Sequence, residues 1–312
     1  MRTTAVVLER PEHLVLTELD LTPPVQGDVV VEIDWSGIST GTERLLWSGR
    51  MPHFPGMGYP LVPGYESVGR IIAAEGEHGG RIGEMVFVPG ARCFGDVRGL
   101  FGGAARRLVV PAGRAVRISD GLSEKGVLFA LAATAHHVIS PAGAQLPDLI
   151  IGHGVLGRML ARIVVARGGC PTVWETNPDR RAGAHSYAVI DAAADERRNY
   201  KTICDVSGAG ELLDGLISRL APGGEIVLAG FYDEPLAFAF PPAFMREARI
   251  RVAAQWAEGD LAAVKQMVED GSLSLDDLIT HCQAATEADS AYRTAFSDPT
   301  CLKMILDWRQ AS

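Results

Sequence analysis

Three glycines in the pattern Gly-x-Gly-x-x-Gly, at 152–157, form the clearest motif in the sequence whose spacing could bind a ligand. They follow a short apolar run at 149–151 and precede apolar residues at helical spacing, which predicts a strand, a tight turn and a helix. Such glycines let a pyrophosphate approach the backbone, and the free N–H groups of the helix start face the phosphates. The turn is therefore predicted to bind a dinucleotide. Its expected cofactor contacts are Gly152, Gly154, Val155, Leu156 and Gly157.

A second apolar run, 172–174, ends in Glu175, 18 residues beyond Gly157. An acid near this spacing accepts hydrogen bonds from a ribose and repels a 2′-phosphate, which favours NAD over NADP. Arg180 and Arg181 follow closely and could hold such a phosphate, although a solvated surface role is the commoner one. Ser207 and Gly230, at the ends of two later strands, are also expected to border the cofactor.

The elements around this turn indicate an α/β fold with a doubly wound parallel sheet. From about residue 122 onwards, helical stretches alternate with short apolar runs, which is the pattern of a parallel sheet. Residues 1 to about 120 are instead rich in β-branched runs separated by Gly, Pro or Asp, which predicts an all-β region, most simply a barrel. The predicted strands of the sheet are 148–151, 172–175, 188–190, 202–206, 225–230 and 248–253.

Composition excludes several classes of function. The 312 residues are 47% hydrophobic, as expected for a globular protein with two domains. The net charge of −9 argues against binding to nucleic acid, which requires a basic surface. The five cysteines are scattered, and no run of 18 apolar residues occurs. We therefore expect a cytoplasmic protein that still permits peripheral contact with a membrane.

Four stretches resemble motifs of the medium-chain dehydrogenase/reductases: Ser36–Glu43, Pro63–Gly69, Thr134–His137 and Leu278–His281. This resemblance implies a GroES-like β-barrel catalytic domain plus a Rossmann domain. It divides the chain into a first barrel part at 1–143, the Rossmann domain at 144–256 and a return to the barrel at 257–312. The family's habit of pairing Rossmann sheets edge to edge implies a homodimer.

The chain departs from this resemblance where zinc-dependent members bind their catalytic metal. The corresponding positions hold Ser39 or Thr40, Tyr65 and Ala130, which cannot form a catalytic zinc site. The cysteine-rich lobe for a structural zinc is also missing, since its region contains only Cys93. The prediction is an enzyme without a metal.

A closer likeness covers nearly the whole chain. The stretches 36–69, 174–178, 223–228 and 301–308 resemble the bacteriochlorophyllide dehydrogenases of bacteriochlorophyll synthesis. That family oxidises the 3-(1-hydroxyethyl) group of a chlorin or bacteriochlorin to 3-acetyl with NAD. The resemblance implies a tetrapyrrole pigment as the substrate and neighbouring pathway enzymes or the photosynthetic membrane as peripheral partners.

Alcohol oxidation without a metal needs another acid–base group, and hydroxyls cluster at the vacated positions. Tyr65 is the first candidate to hydrogen-bond the substrate oxygen, or it only fills the space of the metal. Macrocycle conjugation would reduce the need for Lewis-acid assistance. The candidate catalytic residues are Tyr65, Ser39, Thr40, Thr42 and Glu66.

Candidate substrate contacts come from the loop 49–64, with Phe54, Met57 and Tyr59 as its apolar wall, although anchoring of the loop explains them equally. His136 and His137, on the Thr-Ala-His-His helix, could accept the alcohol proton, with His136 also a candidate substrate contact, although residues of this helix usually pack or hydrogen-bond. His153, inside the glycine turn, is expected to contact cofactor or solvent.

Two other functions stay open at this stage. A metal-free NADPH-dependent quinone or enone reductase would have a similar barrel, and Glu175 disfavours it. A non-catalytic nucleotide-binding protein is disfavoured by the intact glycine turn and the hydroxyl cluster.

Overall fold

The computed structural model describes residues 1–53, 55–74, 76–182 and 186–310. Backbone contacts divide the chain into Met1–Ala130 with Asp276–Ser312 as one unit, and Leu131–Leu275 as the other. These boundaries differ from those expected at 143/144 and 256/257. Contacts between the two flanking segments include those of Asp260, whose carboxylate lies 2.7 Å from Nδ1 of both His136 and His137 within the second unit.

The strands are β1 (Arg2–Arg10), β2 (His13–Asp20), β3 (Asp28–Ile38), β4 (Leu61–Val62), β5 (Ser67–Ala74), β6 (Met85–Val88), β7 (Arg98–Gly99), β8 (Arg107–Pro111), β9 (Val116–Arg117), β10 (Leu149–Ile151), β11 (Thr172–Trp174), β12 (Ala188–Ile190), β13 (Tyr200–Asp205), β14 (Leu220–Leu228), β15 (Arg249–Val252), β16 (His281–Ala284) and β17 (Met304–Asp307).

The α-helices are α1 (Thr42–Ser48), α2 (Phe129–Ile139), α3 (Val155–Ala166), α4 (Pro178–Arg181), α5 (Leu213–Arg219), α6 (Phe240–Met245), α7 (Glu258–Glu269) and α8 (Ala288–Ser297). Short 3₁₀ helices lie at Gly76–Arg81, Ala112–Arg114, Asp120–Leu128, Ala192–Ala194, Gly210–Leu212 and Ala285–Glu287. Among the described residues, no helix is both long enough and apolar enough to cross a membrane.

The first unit contains two sheets that share one apolar core. One sheet has the order β2-β1-β4-β7, and the other runs β16-β17-β3-β5-β6-β9, with β8 also paired to β3. The middle of β1 contributes to this core from both faces of the strand, because four successive residues, Ala5 to Leu8, are buried. The late strand β17 pairs antiparallel with β3, so the end of the chain completes the sheet that begins near residue 28. This arrangement confirms the predicted all-β region.

The second unit is built on a six-stranded parallel sheet in the order β12-β11-β10-β13-β14-β15. In chain order this is 3-2-1-4-5-6, the order of a Rossmann fold. The switch point lies beside β10, whose three residues are buried on both faces, as in a parallel sheet covered by helices. The doubly wound prediction is confirmed, and the glycine turn lies at the carboxyl end of the first strand.

Local differences from the sequence prediction concern short strands. The strand expected at Leu278–His281 begins only at His281, and Leu278 is buried ahead of it. Two two-residue strands, β4 and β7, lie inside or at the end of the predicted loops and pair with each other. Strands this short carry no periodicity, so the sequence pattern could not indicate them.

Candidate active site

A pair of hydroxyl groups lies where two loops of the first unit meet. Ser39 directly follows β3, and Tyr65 follows β4 after the left-handed Gly64 (φ 94°). The Tyr65 phenol donates a hydrogen bond of 2.7 Å to Ser39 Oγ, and the Thr42 hydroxyl also hydrogen-bonds the phenol. The ring of Phe101 stands edge-on to the Tyr65 ring, with 5.2 Å between the centroids. We call Tyr65 and Ser39 the hydroxyl pair.

The electrostatic surroundings keep Tyr65 protonated. Burial raises the pKa of its phenol far above the ordinary value, and the negative charge of Glu66 raises it further. A phenol in this state both donates and accepts hydrogen bonds. The hydroxyl pair can therefore bind an alcohol or carbonyl oxygen as a neutral group.

Glu66 and Lys303 form a buried ion pair beside this loop. Lys303 Nζ lies 2.7 Å from Glu66 Oε2 and donates a second hydrogen bond, of 3.3 Å, to the carbonyl of Ile38. Both side chains are 1% exposed. Gly37 makes room for the carboxylate, because a Cβ at this position would lie 2.2 Å from Oε2. Burial raises the pKa of Glu66, and the charge of Lys303 opposes the rise.

Glu43 is a site residue that sequence reasoning missed. Its carboxyl group accepts a short hydrogen bond from the backbone N–H of Ser39 and one of 3.1 Å from the Tyr292 hydroxyl in α8. The side chain is 1% exposed, and burial raises its pKa to about 8. An acid in the first turn of a helix is ordinarily a solvated residue that favours the helix dipole, so its sequence position gave no signal of burial.

The remaining predicted catalytic residue, Thr40, is exposed and makes no side-chain hydrogen bond to a described residue. The structure therefore brings together Tyr65, Ser39 and Thr42, pairs Glu66 with Lys303, and leaves Thr40 at the surface.

The residues at the metal positions do not fit a catalytic zinc ion. Ser39 and Tyr65 are bonded to each other as neutral hydroxyls, and Ala130 offers a fully buried methyl group. Zinc in enzymes requires three nitrogen, sulfur or carboxylate ligands, which this set does not supply. Over residues 1–53, 55–74, 76–182 and 186–310, no group of three or more His, Cys, Asp or Glu side chains is arranged to hold a metal.

The predicted substrate wall has a structural role in the barrel. Phe54 lies outside the described residues. Met57 and Tyr59 are partly buried against the core of the first unit, and the Tyr59 hydroxyl donates a 2.5 Å hydrogen bond to the carbonyl of Leu46. Burial raises the pKa of the Tyr59 phenol. These contacts favour the interpretation of Met57 and Tyr59 as anchors of the loop.

The glycine turn of the second unit has the geometry of a dinucleotide site. Gly152 has φ 101°, in the left-handed region, and a Cβ at Gly157 would lie 1.9 Å from the Gly152 carbonyl oxygen. A Cβ at Gly154 would meet nothing within 4 Å, so the backbone is open there to an approaching group. Val155 and Leu156 begin α3, whose first N–H groups have no partner within the helix. These unpaired donors suit an anion.

Glu175 lies at the carboxyl end of β11, next to this turn, and is 8% exposed. Its carboxylate accepts hydrogen bonds from the backbone N–H groups of Asn177 (2.8 Å) and His153 (3.2 Å). Arg181 forms an ion pair of 2.6 Å with Asp191 and donates to the Glu175 carbonyl. The glutamate is thus held at the strand end, and Arg181 has an acidic partner of its own.

Ser207 and Gly230 lie at the ends of β13 and β14, as predicted. The Ser207 hydroxyl donates to Asp205 Oδ1 at 2.6 Å, and a Cβ at Gly230 would lie 2.6 Å from the Gly208 nitrogen. A Cβ at Gly152 would lie 3.5 Å from the Ser207 backbone, so the residues that follow β13 adjoin the glycine turn.

The two histidines assigned to ligand contacts are occupied within the second unit. His136 Nδ1 lies 2.7 Å from Asp260, and its Nε2 accepts a hydrogen bond from Arg167, which places the ring proton on Nδ1. His153 is fully buried, and its ring bonds Tyr187 and the Arg180 carbonyl. The expectation that His153 reaches solvent is wrong, because the turn folds its side chain inward. Burial by these partners favours the packing alternative for His136.

Comparison with known proteins agrees with this geometry. The model of the alcohol dehydrogenase GroES-like domain matches residues 25–120. A short-chain alcohol dehydrogenase of Escherichia coli, solved with NADH, superposes with a TM-score of 0.83 at 21% identity and covers 98% of this chain and 99% of its own, which confirms the fold.

Two relatives are much more similar in sequence. The 2-desacetyl-2-hydroxyethyl bacteriochlorophyllide A dehydrogenase of Cereibacter sphaeroides is 58% identical over 99% of both chains. The protein of the same name from Rhodobacter capsulatus is 56% identical over 100% of both. The chain therefore belongs to the 2-desacetyl-2-hydroxyethyl bacteriochlorophyllide A dehydrogenases, within the medium-chain dehydrogenase/reductase superfamily.

Proposed function

We propose that this protein oxidises the hydroxyethyl group of bacteriochlorophyllide a or chlorophyllide a to an acetyl group, with NAD as the electron acceptor. The group is at position 3 in the numbering used above and at position 2 in the names of the relatives. The observation that carries the proposal is the full-length identity of 58% and 56% to two dehydrogenases named for this substrate.

The glycine turn fits the cofactor. The open backbone at Gly154 and the free N–H groups at the start of α3 would hold the pyrophosphate, and Glu175 would accept hydrogen bonds from the adenosine ribose. The carboxylate of Glu175 disfavours a 2′-phosphate, and Arg181, paired with Asp191, is not placed to compensate. These contacts support NAD over NADP. The nicotinamide, when bound, accepts the hydride that leaves the alcohol carbon.

The hydroxyl pair would bind the reacting oxygen. Tyr65 would hydrogen-bond the substrate hydroxyl, and the alcohol proton would pass to the Tyr65 oxygen as the phenol proton moves to Ser39 Oγ along the 2.7 Å bond. The Ser39 hydroxyl would release its own proton to solvent, so the alcohol loses one hydride to the nicotinamide and one proton to water. Positive charge that develops at the carbinol carbon is delocalised over the attached macrocycle. Because the product ketone is also conjugated, the reaction needs less help from a Lewis acid.

The test is anaerobic incubation of the purified protein with the hydroxyethyl pigment and NAD, with and without a chelator, followed by pigment absorption at long wavelength. A red shift that requires NAD and persists with the chelator is expected. Oxidation of NADPH by simple quinones or enones, with no change in the pigment, would overturn the proposal in favour of a reductase.

We also propose that a second copy of the chain covers the outer edge of the parallel sheet. At this edge Ile250 and Val252 of β15 are 38% and 74% exposed, and Phe240, Phe244 and Met245 of α6 are 65–77% exposed. So many large apolar side chains close together are rare on a monomer. Among the described residues, β15 is the outermost strand of the sheet. Such an edge strand can pair with the same strand of a second copy about a two-fold axis, so we take a second copy as the partner that covers this edge.

A further inference from the structure

Glu43 is connected to the hydroxyl pair through the backbone of Ser39. Ser39 carries both bonds: its Oγ accepts from Tyr65 at 2.7 Å, and its N–H donates to Glu43 Oε2. The second carboxyl oxygen of Glu43 accepts from the Tyr292 hydroxyl at 3.1 Å. Glu43, Ser39 and Tyr292 are 1%, 5% and 2% exposed, so this arrangement is shielded from water.

A buried acid of this kind needs an explanation other than stability. A carboxyl group loses its hydration on burial, and an apolar side chain of similar size would fill the same space at lower cost. The α1 helix begins at Thr42 without a side-chain cap on Gly41, so Glu43 is not needed as a conventional N-cap. What its carboxyl group does fix is the position of the Ser39 backbone, four residues earlier in the chain.

We infer that Glu43 is a positioning residue of the reaction, which holds Ser39 so that its hydroxyl meets the phenol of Tyr65. The inference rests on the proposed function, in which the hydroxyl pair binds the substrate oxygen. Tyr292 acts from α8 as the second support, because its hydroxyl fixes the rotamer of the Glu43 side chain.

The ionisable groups that face Glu43 come from three further elements. They are Glu66 and Tyr65 in the loop after β4, Lys303 before β17, and Tyr292 in α8. The charge of Glu66 disfavours a second negative charge, and Lys303 offsets part of this effect while remaining paired to Glu66. If Glu43 ionises, its charge raises the pKa of the Tyr65 phenol further, so the phenol releases its own proton to Ser39 less readily and the relay from the alcohol is slowed.

The experiment compares Glu43→Gln, Glu43→Ala and Tyr292→Phe in the pigment assay. Glutamine keeps an acceptor for the Ser39 N–H, so we expect kcat within about threefold of wild type, whereas alanine lets Ser39 move and should lower kcat about 10- to 100-fold. Tyr292→Phe should give an intermediate loss. The KM for NAD should stay within about twofold in all three, because the cofactor turn belongs to the other unit.

The pH profile separates positioning from simple destabilisation. Wild-type kcat should fall above about pH 8 as Glu43 ionises, and Glu43→Gln should keep its kcat at higher pH. Thr3→Val is a matched control, because Thr3 is 3% exposed and its hydroxyl accepts from the Arg107 N–H at 2.8 Å in the same unit. This variant should leave kcat and its pH profile unchanged.

Hydrogen–deuterium exchange of the peptide that contains Ser39 gives a readout without catalysis. Faster exchange in Glu43→Ala than in Thr3→Val, restored by Glu43→Gln, would support the inference. Equal exchange in the alanine variant and wild type would overturn it, as would a glutamine variant as inactive as alanine. If wild type fails to oxidise the pigment, the proposed function falls, while the exchange result still decides whether Glu43 positions Ser39.

Discussion

Lys303 Nζ lies 2.7 Å from Glu66 Oε2 although 237 residues separate the two along the chain. Both groups are almost completely shielded from solvent, at 1% exposure. The pair therefore joins the loop after β4 to the segment that leads into β17. Because each charge compensates the other in a medium of low polarity, the contribution of either residue to the free energy of unfolding depends on the presence of the other.

Removing one member of this pair should destabilise the protein strongly. Lys303→Met leaves the Glu66 carboxyl buried without its cation, and we expect a loss of about 3–5 kcal/mol in the free energy of unfolding. The double variant Glu66→Gln with Lys303→Met should recover much of this loss. Denaturant unfolding of wild type, both single variants and the double variant measures the coupling. Strictly additive single effects would contradict the pairing.

The contrast between predicted and missed site residues has a physical reason. The glycine turn could be predicted because its spacing along the chain is local, and Tyr65 could be singled out because Pro63–Gly69 resembles a motif of the dehydrogenase family. Lys303 and Tyr292 could not, since their partners Glu66 and Glu43 lie far away in sequence and meet them only through the pairing of β17 with β3. Glu43 itself has the type and position of an ordinary helix-start acid.

The hydroxyl pair should control the chemical step. Tyr65→Phe removes the group proposed to bind the reacting oxygen, and kcat should fall by about 10²- to 10⁴-fold with little change in the KM for NAD. Ser39→Ala should cause a smaller loss in the same direction. Tyr200→Phe is the control, because its hydroxyl bonds Asp195 within the other unit. Steady-state kinetics with wild-type activity in Tyr65→Phe would remove the phenol from the mechanism and leave it as a space-filling residue.

The raised pKa of Glu43 makes stability depend on pH. Burial raises it to about 8 in the folded protein, so between its ordinary value of 4.5 and 8 the folded state keeps a proton that the unfolded chain has lost. The free energy of unfolding is therefore highest below that window, and it falls by about 1.4 kcal/mol per pH unit as the pH rises through it. Glu43→Gln should remove this slope. Denaturant unfolding at several pH values checks it, and parallel curves for both proteins would contradict it.

Cofactor preference should depend on the charge of Glu175. Glu175→Gln keeps an oxygen acceptor but removes the repulsion of a 2′-phosphate, so kcat/KM with NAD should fall about tenfold and the discrimination against NADP should shrink. The neighbouring exposed acid gives the control, since Asp179→Asn should change neither value. If the ratio of kcat/KM with NAD to kcat/KM with NADP is unchanged in both variants, another residue selects the cofactor.

The apolar sheet edge should determine the oligomeric state. Val252→Asp places a charge on β15 and should convert a dimer to a monomer, measured by light scattering after size exclusion. Val25→Asp, at a residue 65% exposed in the other unit, is the control and should remain dimeric. A wild-type monomer that binds lipid vesicles through the same face would instead assign this surface to a membrane.

The pairing of β17 with β3 also has a consequence for the order of events during synthesis. The second unit is one continuous stretch, whereas the first is interrupted and lacks β16 and β17 until residues 281–307 have been made. Until then the Trp35–Ile38 end of β3 lacks its pairing with β17, and neither Lys303 nor Tyr292 has reached its glutamate. The nucleotide-binding unit thus has all its residues available first, and the buried partners of Glu66 and Glu43 are added only when residues 281–307 have been made.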